Sequence, residues 1–294
     1  MHLSGLFIYP VKSLRGIALT SCAVDPLGLV GDRRFLVVDP AGQFLTQRTV
    51  PRMALVSTAL SADTLTLSAE NHGRLSVPLR TPADLPAAPL SVSIWRSKNL
   101  LADDCGPEPA AWLSTVLHTP VRLVRIGENF RRPILFKPAY APPSISAAAP
   151  LLEGRIVSDE LFTFADGYPF LAVSEASLAH LNDRLVSRGA EPVPIDRFRP
   201  NLVLSGCEPF AEDTWPRVRI GDIVFRAAGH CSRCAITTTD QLTGEREGPE
   251  PLRTLASFRR DPDDPSDVNF GQNLVHDTKS GTLHLGASAA PLPT

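Results

Sequence analysis

Twenty-eight prolines and 19 glycines cut this 294-residue chain into short apolar runs, and that punctuation constrains the fold more than any other feature. Proline inside a long helix breaks its hydrogen-bond ladder, whereas strands of roughly four to eight residues fit between such breaks. The runs LFIYP, ALTSCAV, RRFLVVD and QFLTQRT (residues 6–49) follow one another with DPLGLVGD and DPAG between them, the spacing of a β-meander or barrel. TLTLSA and RLSVPL flank Glu70–Gly73 and predict a hairpin with one wet face. The class expected is mainly β, an α+β arrangement of two β-rich subdomains with a few helices.

Helical spacing is confined to a few places. PEPAAWLSTVLH (107–118) offers Pro107 and Pro109 to a first turn and a stripe of Trp112, Leu113, Val116 and Leu117. It is expected to close a first unit over 1–125. SEASLAHLNDRLVSRG (174–189) has Ser174 as N-cap, Leu178, Leu181 and Leu185 on one face, and Gly189 to stop it. A third, short helix is expected near 251–259. Between the first two, FRRPILFKPAYAPPSISAAAP (130–150) has no sustained period and reads as a loop, lid or linker within a second unit over 126–294. NLVLSG and RVRI-GD-IVFRAA read as a strand and a hairpin, and two last strands follow the short helix.

Charge narrows the partners. Twenty-nine Lys and Arg face 31 Asp and Glu, so the chain lacks the basic surplus that binding a phosphate backbone requires. No nucleic acid is expected, and any anion site must be local. No run approaches the roughly 18 apolar residues of a membrane span, and the start lacks a basic region followed by a long apolar one. Five cysteines are too few and odd in number for a disulfide framework, so a reducing compartment and a cytoplasmic protein are expected.

The segment GHCSRCAITTTD carries the chemistry. A structural zinc site wants four ligands, and only Cys231, Cys234, His230 and the distant Cys207 are available. A redox dithiol would open a helix, whereas AITTTD is β-branched and strand-like. Two buried apolar cysteines are the plainest reading. Ser232 and Arg233 between the thiols add a hydroxyl and a fixed charge, so a thiolate on a soft or high-valent metal with a non-protein ligand stays open. A phosphate-bearing ligand would need scattered cations, and three motifs supply them: Lys12 and Ser13 in YPVKSLRG, Arg33 in GDRRF, and Arg199 with Asn201 in DRFRPNLVLSG. Each has a plain alternative, solvated strand-end charges for Lys12 and Arg33 and an ion pair with Asp196 for Arg199.

Read in order, YPVKSLRG, GDRRF, DCGPEPAAWL, FADGYPFLAVSEASL, FRPNLVLSGCEPFAEDTW, IGDIVF, CSRCAITTTD, EPLRTLASFR and FGQNL resemble the MOSC family, the molybdenum cofactor sulfurase C-terminal domain preceded by its N-terminal β-barrel domain. Within it the likeness is to the branch that reduces amidoximes and other N-hydroxylated compounds. The resemblance implies a β-barrel MOSC fold, a molybdenum cofactor (molybdenum on molybdopterin), and Cys234 as the single protein sulfur on the metal. It implies cofactor contacts at Lys12, Ser13, Arg33, Gly167, Tyr168, Arg199, Asn201, Ser232, Arg233 and Asn273, with Gly167, Tyr168 and Asn273 departing from the residue types of the mitochondrial members. Asp240, closing the TTTD block, is a candidate for proton handling.

The implied reaction is a two-electron reduction of an N-hydroxylated small molecule, with electrons from a separate iron–sulfur, flavin or haem protein, since no ferredoxin-like domain follows in this sequence. The competing class is a non-enzymatic module that carries the cofactor or hands sulfur to it.

Overall fold

The first strand already shows how the chain is woven. His2–Ile8 buries Leu3, Leu6 and Ile8, and Leu3 and Leu6 share a face because the register with Leu202–Ser205 shifts between Leu3 and Gly5. Gly5 fits there because a Cβ would lie 2.9 Å from the Phe7 ring and 3.0 Å from Val203. The computed structural model describes residues 1–80, 89–145 and 148–293, and it has the mainly β class that the punctuation predicts.

His2–Ile8 lies inside an eight-stranded sheet, in the order Ile17–Ala18, His2–Ile8, Leu202–Ser205, Phe170–Ser174, Asn269–His276, Ile223–Ser232, Arg217–Ile220 and Ala289–Leu292. All its neighbours pair antiparallel except Phe170–Ser174 with Leu202–Ser205, which are parallel. That pair needs a crossover, and the helix Glu175–Val186 provides it. The Ser174 hydroxyl accepts from the Ser177 amide at its start, as expected, and Leu181 and Leu185 are fully buried beneath it. Truncating either leucine to alanine costs about 2–5 kcal/mol by the usual cavity rule.

A four-stranded sheet runs Phe35–Val38, Arg122–Arg125, Ser97–Asp104, Pro89–Ile94, with the helix Pro107–Leu117 packed through Leu113, Val116 and Leu117. The hairpin Thr64–Ala69/Gly73–Pro78 forms as predicted, joined by Ser57–Leu60. The core of the large sheet mixes Leu3, Leu6 and Ile8 with Phe170, Phe225 and Leu274, so the N-terminal strand is packed among residues far along the chain.

Three local expectations fail, each for a physical reason. AITTTD is not strand-like: Ala235–Thr238 is a 3-10 turn, because Thr237 Oγ1 donates to the Cys234 carbonyl at 3.0 Å and Thr238 Oγ1 to that of Ala235 at 2.8 Å. QFLTQRT makes only isolated bridges at Gln43 and Phe44 before a threonine-anchored turn. The aperiodic 130–150 stretch holds a strand, Pro133–Phe136, too short to show a period, paired with Arg155–Leu161; its residues 146 and 147 lie outside those described.

Candidate active site

Tyr9, at the end of the first strand, is the hub of one group of expected residues. The guanidinium carbons of Arg33 and Arg199 lie 4.4 and 4.2 Å from its ring centre. Burial pushes the Tyr9 phenol up to about 12, against the pull of Arg199 and Arg33, so the ring stays neutral between them. Arg33 Nη1 donates to Asp32 Oδ2 at 2.8 Å and to Asn201 Oδ1 at 2.9 Å, while its Nη2 reaches the Arg199 carbonyl at 3.2 Å. Asn201 is buried and locked by the Phe7 carbonyl and the Leu171 amide.

Arg199 is 9% exposed and donates to the Leu14 carbonyl at 2.7 Å, but among the described residues it has no ion pair, so the alternative of pairing with Asp196 is not realised. Burial draws it down to about 10. Beside this group Lys12, 4% exposed, bonds Asp166 at 2.6 Å. Burial lowers its ammonium to about 8, against the pull of Asp166.

The backbone here is held in an uncommon conformation. Ser13, Arg33 and Arg199 have φ of 67°, 46° and 54°, left-handed values that non-glycine residues adopt at a cost of order 1–3 kcal/mol each. Such strain clusters at sites whose geometry the surroundings dictate. The Ser13 carbonyl is pinned by buried Gln47, which also bonds Gln241.

The second group surrounds the cysteine turn. Arg233 Nη1 donates to Cys231 Sγ at 2.8 Å and its Nη2 to the Phe198 carbonyl at 2.6 Å, while its buried Nε has no partner. Burial raises the Cys231 thiol, opposed by Arg233. Ser232 Oγ donates to Asp267 at 2.7 Å. Cys234 is half-buried at the head of the 3-10 turn, with Arg48 Nη1 3.9 Å from its sulfur. All five cysteines are free, and among the described residues no group of three or more His, Cys, Asp or Glu side chains is placed to hold a metal ion.

A cleft of about 250 Å³ opens beside the cysteine turn and reaches Asp166, the partner of Lys12, although Tyr9, Arg33, Arg199 and Asn201 do not line it. Gly167, Tyr168, Ser232 and Asn273 line it, together with Cys231, whereas Cys234 is not among the residues that line it. Asn273 donates to the His230 carbonyl at 3.1 Å and Tyr168 to that of Leu135 at 3.3 Å.

Asp240 sits apart. Arg197 holds it at 2.8 Å and the Leu242 and Thr243 amides bond its other oxygen. Burial raises its carboxyl, but those amides and Arg197 outweigh it and keep it below the usual range. Its geometry is that of a turn anchor.

The residues that link the groups were not foreseen. Arg48 stacks on Trp95 at 4.1 Å, Trp95 Nε1 donates to Asp166 at 2.9 Å, and Asp166 bonds Lys12, so a relay of contacts joins Cys234 to the cation site. Fully buried Arg132 donates to the carbonyls of Thr163 and Asp166 and fixes the loop that carries Gly167 and Tyr168. Tyr9 and Asp166 lie inside motifs already singled out, YPVKSLRG and FADGYP; for Trp95, Arg48 and Arg132 the sequence offers no local signal.

Comparison with known proteins identifies the architecture. Residues 1–120 match the MOSC N-terminal beta barrel domain and residues 159–288 the MOSC domain. Mitochondrial amidoxime-reducing component 1 of Homo sapiens is 36% identical over 293 residues, covering 96% of this chain and 80% of that protein. The chain belongs to the MOSC family. Among its other MOSC relatives, mitochondrial amidoxime-reducing component 1 of Mus musculus is 35% identical over 291 residues, 96% of this chain and 79% of that protein. The molybdenum cofactor sulfurase of Danio rerio is 32% identical over 96% of this chain, which spans 33% of that longer MOSC protein.

These names correct one expectation. The amidoxime-reducing relatives are named as mitochondrial, so a cytoplasmic location does not stand. The reason is that unpaired cysteines report a reducing environment and not which compartment supplies it. No helix among the described residues is long and apolar enough to cross a membrane.

Proposed function

We propose that this MOSC protein is a molybdenum-cofactor-dependent oxidoreductase that reduces N-hydroxylated small molecules, amidoximes, hydroxylamines and N-hydroxylated bases, with electrons from a separate iron–sulfur, flavin or haem protein. The amidoxime-reducing and molybdenum cofactor sulfurase names of its relatives support the cofactor and the reaction class. The observation that carries the reading is Arg199, buried without an ion pair against Tyr9 and Arg33. Uncompensated buried charge costs several kcal/mol, and an anion entering the site removes that cost.

The donor set fits a phosphate-bearing pterin. Lys12, Ser13, Arg33, Arg199 and Asn201 would hold its phosphate and ring, since buried phosphate favours charge-assisted donors and the planar fork of arginine. The orphaned Arg233 Nε, Ser232, Gly167, Tyr168 and Asn273 would complete the cradle, and Cys234 would be the protein sulfur on the metal. When bound, the cofactor supplies the two-electron removal of oxygen from the N–O bond.

The chain itself orients and shields. Tyr168 and Trp95 wall the cleft, Arg132 fixes the loop that carries Tyr168, and Arg48 places positive charge beside the Cys234 sulfur. Asp240 we assign to anchoring the turn after Cys234 in place of proton handling. We keep 1–125 and 126–294 as the two units of this proposal, with His2–Ile8 exchanged into the sheet of the second.

The test is metal and pterin content together with benzamidoxime reduction by an artificial donor, on wild type, Cys234→Ser and Cys231→Ser. Cys234→Ser should lose activity altogether and Cys231→Ser should largely keep it. Equal loss in both would favour a working dithiol. The half-buried Cys234 thiol also suits a module that hands on sulfur or cofactor. Protein that holds pterin in stoichiometric amount yet reduces no N-hydroxylated compound would establish that second reading.

A further inference from the structure

Two cations on the rim of the cleft have no job in the reading above. Phe136, the last residue of its strand, pairs with Ile156 in antiparallel register, and Lys137 and Arg155 are the residues next to that pair. Both line the cleft, on the same side as Pro133 and Leu135, which alternate with buried Ile134 and Phe136. Two like charges on one cleft wall repel unless an acid or a bound anion offsets them.

Here the neighbouring acids are engaged elsewhere. Glu153 pairs with Arg96 at 2.6 Å, Asp166 with Lys12, and Asp267 accepts from Ser232. Asp261 and Asp264 feel Lys137 as the last of their influences, their carboxylates being bonded to Asn269, Ser266 and backbone amides. Among the described residues neither Lys137 nor Arg155 forms an ion pair. Arg155 and Tyr168 line the cleft together, and the Arg155 charge is near enough to oppose the upward push of burial on the Tyr168 phenol.

From this we infer that Lys137 and Arg155 form an anion subsite at the mouth of the cleft, selecting N-hydroxylated substrates whose planar body rests on Tyr168 and whose far end carries a carboxylate or a phosphate. The inference rests on the proposed reductase reading for the N-hydroxyl group, and not for the anion. A planar guanidinium beside an ammonium matches either oxyanion, since carboxylate and phosphate each offer the fork two oxygens for parallel charge-assisted bonds. The cofactor's phosphate has its own donors around Tyr9, so the rim charge is left for the substrate. Charge-assisted bonds to such a group are worth about tenfold or more in affinity.

The test is direct binding, free of turnover. Calorimetric titration of the cofactor-loaded protein without reductant compares benzamidoxime with 4-carboxybenzamidoxime, and N4-hydroxycytidine with its 5′-monophosphate, which separates carboxylate from phosphate. Wild type should bind at least one anionic member about tenfold more tightly than its neutral parent, and the Lys137→Gln/Arg155→Gln protein should show a ratio near one. Removing the repulsion should leave the variant's melting temperature equal or higher, so misfolding is recognised by a fall.

Equal affinities in wild type for both pairs, or a preference that survives in the double variant, would overturn the subsite. So would loss of pterin from the double variant, which would assign these cations to the cofactor. Benzamidoxime turnover by wild type reports separately on the reductase: anion preference without turnover keeps the subsite and removes the proposed reaction.

Discussion

Two arginine clusters in this molecule use the same residue types to opposite ends. On the large sheet, Arg226 pairs with Glu160 and Asp277, Arg217 with Asp277 at 3.1 Å and Lys279 with Glu160 at 2.5 Å, so each cation has a carboxylate from the chain itself. Around Tyr9, Arg33 has Asp32 and Arg199 has no carboxylate, although Arg199 is the more buried of the two clusters' guanidiniums. A cluster balanced from within serves the fold. One left unbalanced among the described residues has a charge that the anion of the proposed function would offset.

The contrast can be broken most sharply with acid. His276, beside the balanced cluster and 1% exposed, is held down to about 4 by burial and then by Lys279, against an ordinary value of 6.5. The unfolded chain therefore takes up the proton first as pH falls. Stability from this group is complete above pH 6.5 and is lost towards pH 4, to a limit of roughly 3 kcal/mol. Urea unfolding of wild type and His276→Asn at pH 7 and 4.5 measures it; an unchanged slope in the variant would rule out His276 as the cause.

Next come the arginines themselves. Arg226→Met should cost about 2 kcal/mol, because Glu160 and Asp277 lose the partly buried guanidinium they share and keep only the more exposed Lys279 and Arg217. Arg199→Met should cost the cofactor-free protein under about 0.5 kcal/mol, yet lower pterin retention about tenfold or more. Melting curves and pterin fluorescence on the pair decide, and equal loss of stability in the two variants would erase the distinction drawn between the clusters.

Lys12 sharpens the same contrast on the alkaline side. With its ammonium at about 8 and the unfolded value near 10.5, the folded chain releases the proton first, so stability without cofactor rises from pH 8 to 10.5. Affinity for a phosphate group falls over the start of that range as the charge disappears. Phosphate titrations at pH 7 and 9 on wild type and Lys12→Met should show the difference only in wild type. The smallest effect belongs to Asp240→Asn, which keeps the turn amides bonded and loses the pair with Arg197. Under about 1 kcal/mol of stability and no change in kcat are expected.

What the sequence made legible was whatever is decided locally. The Ser174 cap, the Gly221-Asp222 hairpin turn and the helix at 107–117 follow from neighbours within a few residues, and the motif blocks carried the family and most of the expected contacts. The relay from Cys234 through Arg48, Trp95 and Asp166 was not legible. Its contacts join residues 47 to 186 positions apart, and no spacing rule announces them. The same holds for Gln47, whose amide meets Gln241 194 residues on. AITTTD misled because β-branching favours a strand while threonine hydroxyls favour a turn, and here the hydroxyls prevailed.

The placement of His2–Ile8 against Leu202–Ser205 has a consequence for assembly during translation. At ribosomal speeds of about 5–20 residues per second, the first strand emerges at least some ten seconds before its partner exists. Until then Tyr9 lacks the Arg199 guanidinium against its ring and Arg33 lacks the Asn201 amide oxygen, for Arg199 and Asn201 arrive with that same partner. Under the proposed function, capture of the pterin has to wait for that partner, and a ribosome stalled before residue 200 would display a polypeptide still lacking Arg199 and Asn201.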